Sequence, residues 1–150
     1  MKTVELYDTD FAEWTRHNAE LLRSGRASEA DLEHIAEEIE DMGKRERRSV
    51  HNRFVRLIEH LLKWQHQPQR RGSSWLRTIV VQRQAIRRLL NENPSFRPGL
   101  ANVVAEAFQD AVGIVSAVTH RESTDFPKSC PFTLEQLLSE EFLPVPDSQP

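Results

Sequence analysis

The sequence predicts an all-α protein, a single-domain helical bundle of four main helices with a long second helix, plus a short C-terminal helix. Three observations predict it. Apolar residues recur at three- and four-residue spacing along most of the chain, while the two-residue alternation of strands is nearly absent. The 150 residues contain only five glycines, with 38% hydrophobic and 29% charged side chains, a composition that suits helices packed in a globule. Caps and breakers stand where the periodicity stops. The length fits one domain over residues 1–150, with an ordered core at about 7–144 and a frayed tail at 145–150. Such a chain buries roughly two-thirds of its unfolded surface without a metal or disulfide staple.

The first helix is expected to start after Asp8 or Asp10, whose carboxylates can accept from exposed N–H groups. It places Phe11, Trp14, Asn18, Leu21 and Leu22 on one side and ends near Ser24-Gly25. Ser28 with Asp31 resembles a capping arrangement. From there Leu32, Ile35, Ala36, Ile39 and Met42 form an apolar stripe, resumed after Gly43 by Val50, Phe54, Leu57, Ile58, Leu61 and Leu62. Glycine costs about 1 kcal/mol in a helix interior, so one long helix from about Ser28 to Gln65 is expected, stopped by Pro68. Ser73 or Ser74 caps a third helix carrying Trp75, Ile79, Gln82, Ile86, Leu89 and Leu90, which closes at Asn93-Pro94. A fourth begins near Pro98 and is rich in Val and Ala, as suits a bundle centre. Thr133 with Gln136 signals a capping box before a last helix, Leu134 to Leu138.

Charge is segregated. Residues 1–42 carry 4 basic and 12 acidic side chains, residues 43–98 carry 14 and 3, and residues 99–150 carry 2 and 8. The net charge of −3 thus describes acidic flanks around a basic middle, which either neutralise each other by packing or leave a basic face for an anionic partner. Cys130 is the sole cysteine, so no intramolecular disulfide can form, and a reducing compartment suits it. No uninterrupted apolar run approaches the ~20 residues of a membrane span, and the N-terminus lacks a signal-type apolar core. A cytoplasmic location is expected, with no membrane partner.

Several separated motifs carry a family resemblance: Tyr7-Asp8-Thr9-Asp10-Phe11 with Trp14; Ala36-Glu37-Glu38-Ile39-Glu40-Asp41-Met42-Gly43; Leu61-Leu62-Lys63-Trp64-Gln65 with Pro68, Arg71 and Trp75; and Cys130-Pro131-Phe132. Over roughly Tyr7 to Pro144 the chain resembles the bacterial domain-of-unknown-function family numbered twenty-nine. That resemblance implies an all-helical single domain, and it supplies no activity, substrate or cofactor.

Two constellations are candidates for function. The turn from Lys63 to Arg77 combines Trp64, Gln65, Arg70, Arg71, Trp75 and Arg77, flat rings and guanidinium groups that suit a protein or nucleic-acid partner. The plainer reading is that Trp64 and Trp75 pack across the turn while Arg71 pairs with an acid. On the second helix, His34 with Glu38 and Glu37 with Asp41 are four residues apart, on neighbouring faces, where they could hold a divalent cation or do acid–base work. The plainer reading there is a solvated acidic face. No phosphate loop, paired-cysteine zinc motif or serine nucleophile elbow is present. The expected function is a non-enzymatic binding protein without a cofactor, using the Trp/Arg turn and the basic middle to contact a protein or nucleic acid, with a homodimer as a further option. The alternative is a metal-binding or hydrolase-like protein built on the acidic cluster.

Overall fold

A computed structural model describes residues 2–146; Met1 and residues 147–150, the last part of the expected frayed tail, lie outside the described residues. The described residues form helices α1 (Thr3–Thr9), α2 (Phe11–Arg23), α3 (Leu32–His66), α4 (Ser73–Glu92), α5 (Leu100–Thr119) and α6 (Leu134–Leu138), linked by short 3-10 turns and loops, with no strand among them. The all-α expectation therefore holds. The chain divides into two compact units, Met1–Arg45 and Glu46–Pro150, and α3 belongs to both.

In the first unit, Asp10 ends α1 and caps α2, its carboxylate accepting from the Glu13 N–H at 3.1 Å. The sequence reading lacked α1 because none of its residues is buried, so no apolar stripe marks it. Gly25 turns the chain at φ +77°, the left-handed region where a Cβ is strained. A 3-10 turn at Ala27–Glu29 occupies the expected start of the long helix, and α3 begins only at Leu32. The reason is Asp31, which is drawn inward rather than left as a surface cap. Its carboxylate accepts from the Trp14 indole N–H at 3.0 Å, and its own backbone N–H donates to Asn18 Oδ1 at 2.8 Å. Trp14 and Leu21 are the buried apolar side chains of this unit. Phe11 and Leu22, expected on the inward side, are exposed because the buried stripe of α2 is only Trp14, Asn18 and Leu21 wide. Helix α3 passes through Gly43 without interruption, as the unbroken periodicity predicts.

The second unit has the larger core. Phe54, Leu57, Ile58, Leu61 and Leu62 of α3 meet Ile79, Ile86 and Leu90 of α4 and Ala107, Phe108, Ala111 and Val115 of α5. Phe126, Phe132 and Leu137 close it from the C-terminal segment. Gly72, not a serine, occupies the cap position of α4, and α5 is preceded by a 3-10 turn over Pro94–Gly99. No uninterrupted apolar run reaches the length of a membrane span, but Pro94–Thr119 holds an 18-residue window of mean hydropathy 1.2, long and apolar enough to cross a membrane by length and composition alone. Its apolar character has a use in the core, because Leu100, Val104, Ala107, Phe108, Ala111, Val112 and Val115 are buried against the other helices. At α6 the capping box forms as predicted: Thr133 Oγ1 accepts from Gln136 N–H at 3.1 Å and Gln136 Oε1 accepts from Thr133 N–H at 3.0 Å.

Arg83 is only 2% exposed, and it joins α4 to α6. Its Nε donates to the Leu137 carbonyl at 2.8 Å, and one Nη donates to the carbonyls of Gln136 at 3.2 Å and Phe142 at 2.7 Å. Two of these are last-turn carbonyls of α6, where a cation meets the negative helix end. Burial lowers the Arg83 pKa, and the neighbouring Arg87 guanidinium lowers it further.

Two stability outcomes follow. Phe54→Ala should cost about 3–5 kcal/mol of unfolding free energy by urea titration, since a fully buried ring is removed. Arg83→Ala should cost about 3 kcal/mol by leaving buried carbonyls unpartnered, and limited proteolysis should then cut the segment around α6 ahead of the α3–α5 core.

Candidate interaction surfaces

In the turn after α3, most of the expected binding residues engage one another. Arg71 Nε donates to the Trp64 carbonyl at 2.7 Å, satisfying one of the open carbonyls at the end of α3, and its guanidinium lies 5.1 Å from the Trp64 ring centroid. Lys63 stands 5.1 Å from the Trp75 ring centroid and 3.5 Å from a Glu59 carboxylate oxygen. Trp64 also packs against the core, and Gln65 is half-buried. Arg70 and Arg77 remain exposed. The turn therefore brings Trp64 together with Arg71 and Trp75 together with Lys63, and it leaves the two outer guanidinium groups to solvent.

The other arginines of the basic middle separate in the same way. Arg53 donates to Gln82 Oε1 at 3.2 Å, Arg87 pairs with Glu140 at 2.5 Å, and Arg83 is buried. By contrast Arg48, Arg56, Arg70, Arg77 and Arg88 are exposed and have no acidic partner among the described residues. On α4 the outward face holds Leu76, Arg77, Val80, Val81, Gln84 and Arg88, with the three apolar side chains 41–43% exposed. Sequence reasoning overlooked this face. Its signal was the adjacent pair Val80-Val81 beside the inward Ile79, since three consecutive apolar residues span too wide an arc for all to point into a core.

The acidic cluster does not assemble into a cation site. Among the described residues no three of His, Cys, Asp and Glu stand where they could hold a metal ion. His34 and Glu38 are turned to other partners. His34 Nδ1 lies 2.6 Å from Asp31 Oδ2, and its ring stacks on Tyr7 with centroids 3.9 Å apart. Tyr7 in turn donates its hydroxyl to Glu38 Oε1 at 2.6 Å, while Glu37 and Asp41 are exposed. The four residues of the metal-binding expectation, His34, Glu37, Glu38 and Asp41, therefore do not converge: His34 and Glu38 are engaged with Asp31 and with Tyr7 of α1, and Glu37 and Asp41 stand exposed.

Ionisation in this network follows its hydrogen bonds. The bond to Asp31 raises the His34 pKa, against the opposing effect of burial, with Glu37 and Asp8 adding to the rise. Burial works to raise the Asp31 carboxyl, but the bonds from His34 and Trp14 outweigh it and the pKa falls. The Tyr7 phenol is pushed up to about 12, mainly by its bond to Glu38. Burial raises the thiol of half-buried Cys130, which keeps it protonated and a poor nucleophile at neutral pH.

With its folded-state pKa raised above the ordinary value near 6.5, His34 stabilises the first unit fully below that value and progressively less as pH rises through the raised one. An NMR titration should show the His34 ring titrating above its ordinary value, and Asp31→Asn should bring it down.

A family model described as domain of unknown function DUF29 matches residues 6–143. No curated protein and no solved structure gives a significant match. With nearly its whole length matched, the chain belongs to the DUF29 family.

Proposed function

We propose that this protein is a non-enzymatic binding protein that receives an acidic protein partner on the outward face of α4. The observation that carries the reading is the grouping on that face. Leu76, Val80 and Val81 stand exposed beside Arg77 and Arg88, both exposed and without acidic partners among the described residues. The acidic residue of α4 is Glu92, at its last position. Exposed aliphatic groups rimmed by arginine suit a protein interface, where apolar burial supplies affinity and guanidinium groups select carboxylates.

Nucleic acid fits less well. Base stacking needs free aromatic faces, whereas Trp64 and Trp75 are covered by Arg71 and Lys63. The pI of 6.1 also departs from the basic footprint of nucleic-acid binding domains. No observation favours the hydrolase-like alternative.

The test is fluorescence anisotropy with an acidic amphipathic peptide and with a single-stranded oligonucleotide, each across a salt series. The expected result is salt-sensitive peptide binding, weakened at least tenfold by Arg77→Glu with Arg88→Glu, and little oligonucleotide binding. Steep salt-dependent binding of the oligonucleotide alone would replace the reading with a nucleic-acid one. Failure of both probes at low salt would remove it.

A further inference from the structure

Inside the second unit, a cavity of about 200 Å³ opens to solvent where α3 meets the Pro94–Gly99 turn and the first turn of α5. Its apolar surface comes from buried Val50 and Leu100 and from half-buried Phe96 and Val103. Gly99 stands in the wall with φ −92°, a conformation open to any residue, and a Cβ there would meet nothing within 4 Å. Neither backbone nor packing calls for glycine at this position, and its lack of a side chain leaves room at the wall. The polar side chains of the lining are Arg47 and Ser95. Water against the remaining surface is poorly held, so an apolar group that displaces it gains affinity.

Size limits the occupant. An apolar cavity of about 150 Å³ holds benzene, so this one has room for a single ring, or a chain of about six carbons, with a small polar head. Charge selects that head. Arg47 is the charged side chain of the lining, its guanidinium lies over the Phe96 ring at 5.9 Å, and it has no acidic partner among the described residues. Its helical neighbours three and four positions away, Gly43, Lys44, Val50 and His51, include no acid. Stacking on the ring steadies the guanidinium and leaves its N–H donors to a ligand. A carboxylate matches that fork through two parallel hydrogen bonds and carries the single negative charge that one guanidinium neutralises. A phosphate monoester would bring a second charge with no partner in the apolar lining.

We infer that this cavity binds a small monocarboxylate with a compact apolar body, the carboxylate on Arg47 and the body against Val50, Phe96, Leu100 and Val103. The site shares no residue with the outward face of α4, so the ligand and the acidic-partner reading stand or fall separately.

The experiment is an NMR titration of the full chain, with isotope-labelled methyl groups, using phenylacetate and hexanoate as probes. Phenylacetamide, hexanamide and phenyl phosphate serve as comparisons. The expected result is saturable shifts centred on the methyl signals of Val50, Leu100 and Val103, with a dissociation constant of about 1 mM or below for at least one acid. The matching amide, the same shape without the charge, should bind about tenfold more weakly, and so should the acid to Arg47→Met. Val103→Phe should abolish binding by filling the cavity, with circular dichroism to verify that both variants are folded. Arg47 is exposed, so its replacement leaves the core intact whatever the second variant does. Absence of saturable shifts with both acids would overturn the inference. So would equal binding of acid and amide, tighter binding of phenyl phosphate, shifts centred elsewhere, or undiminished affinity in Arg47→Met.

Discussion

The second unit is organised by the apolar face of α3 between Val50 and Leu62. In that interval the side chains at one edge of the helix are wholly withdrawn from water, and α4 and α5 are positioned by what they add to the same interior. Each such side chain contributes about 1.5–3 kcal/mol relative to exposure, so the set outweighs any single polar contact in the unit. That constraint explains the composition of α5. A helix facing α3 and α4 together must be small where it is crowded, and its Ala107 and Ala111 are fully buried beside Phe108 and Val115. It also explains how Gly43 sits inside a continuous helix: the conformational penalty of one glycine is minor beside the packing of the following turns.

The basic middle shows how one residue type can serve two purposes. Where arginine faces the interior it terminates helices and closes the C-terminal segment, as Arg71 does at the Trp64 carbonyl and Arg83 at the carbonyls of Gln136, Leu137 and Phe142. A guanidinium suits this work because its fixed fork of donors satisfies several carbonyls at once. Where arginine faces outward, as at positions 48, 56, 77 and 88, it keeps its charge available to a partner. Arg71 and Arg83 thus keep their charge while bonded to backbone carbonyls, and pairing with acids of the flanks is confined to contacts such as Arg45 with Glu38 and Arg87 with Glu140 among the described residues.

The fold was legible wherever periodicity and stop signals coincide. The passage of α3 through Gly43, the end of α4 at Asn93-Pro94 and the capping box of Thr133 and Gln136 all rest on local chemistry that the sequence displays. What escaped reading depends on partners distant in sequence. Asp31 looked like part of a surface cap and is instead a buried acceptor for Trp14, a contact across 17 positions. His34 and Glu38 share a helix face as spacing requires, yet each answers to a residue outside that helix segment, Asp31 for one and Tyr7 for the other. The outward face of α4 was hidden for a different reason, since apolar residues in a helix are by default assigned inward, and only accessibility shows which of them are left over.

The clamp made by Arg83 orders events in time. Its carbonyl partners lie 53 to 59 positions further along the chain, so while the protein is being synthesised the guanidinium has no interior partner until the segment through Phe142 has emerged. Until then a hydrated charge stands at the place where α6 will pack, and water is held at that edge of the core. The last helix thus completes the burial of α4, and a nascent chain stopped short of it keeps a core open on one side.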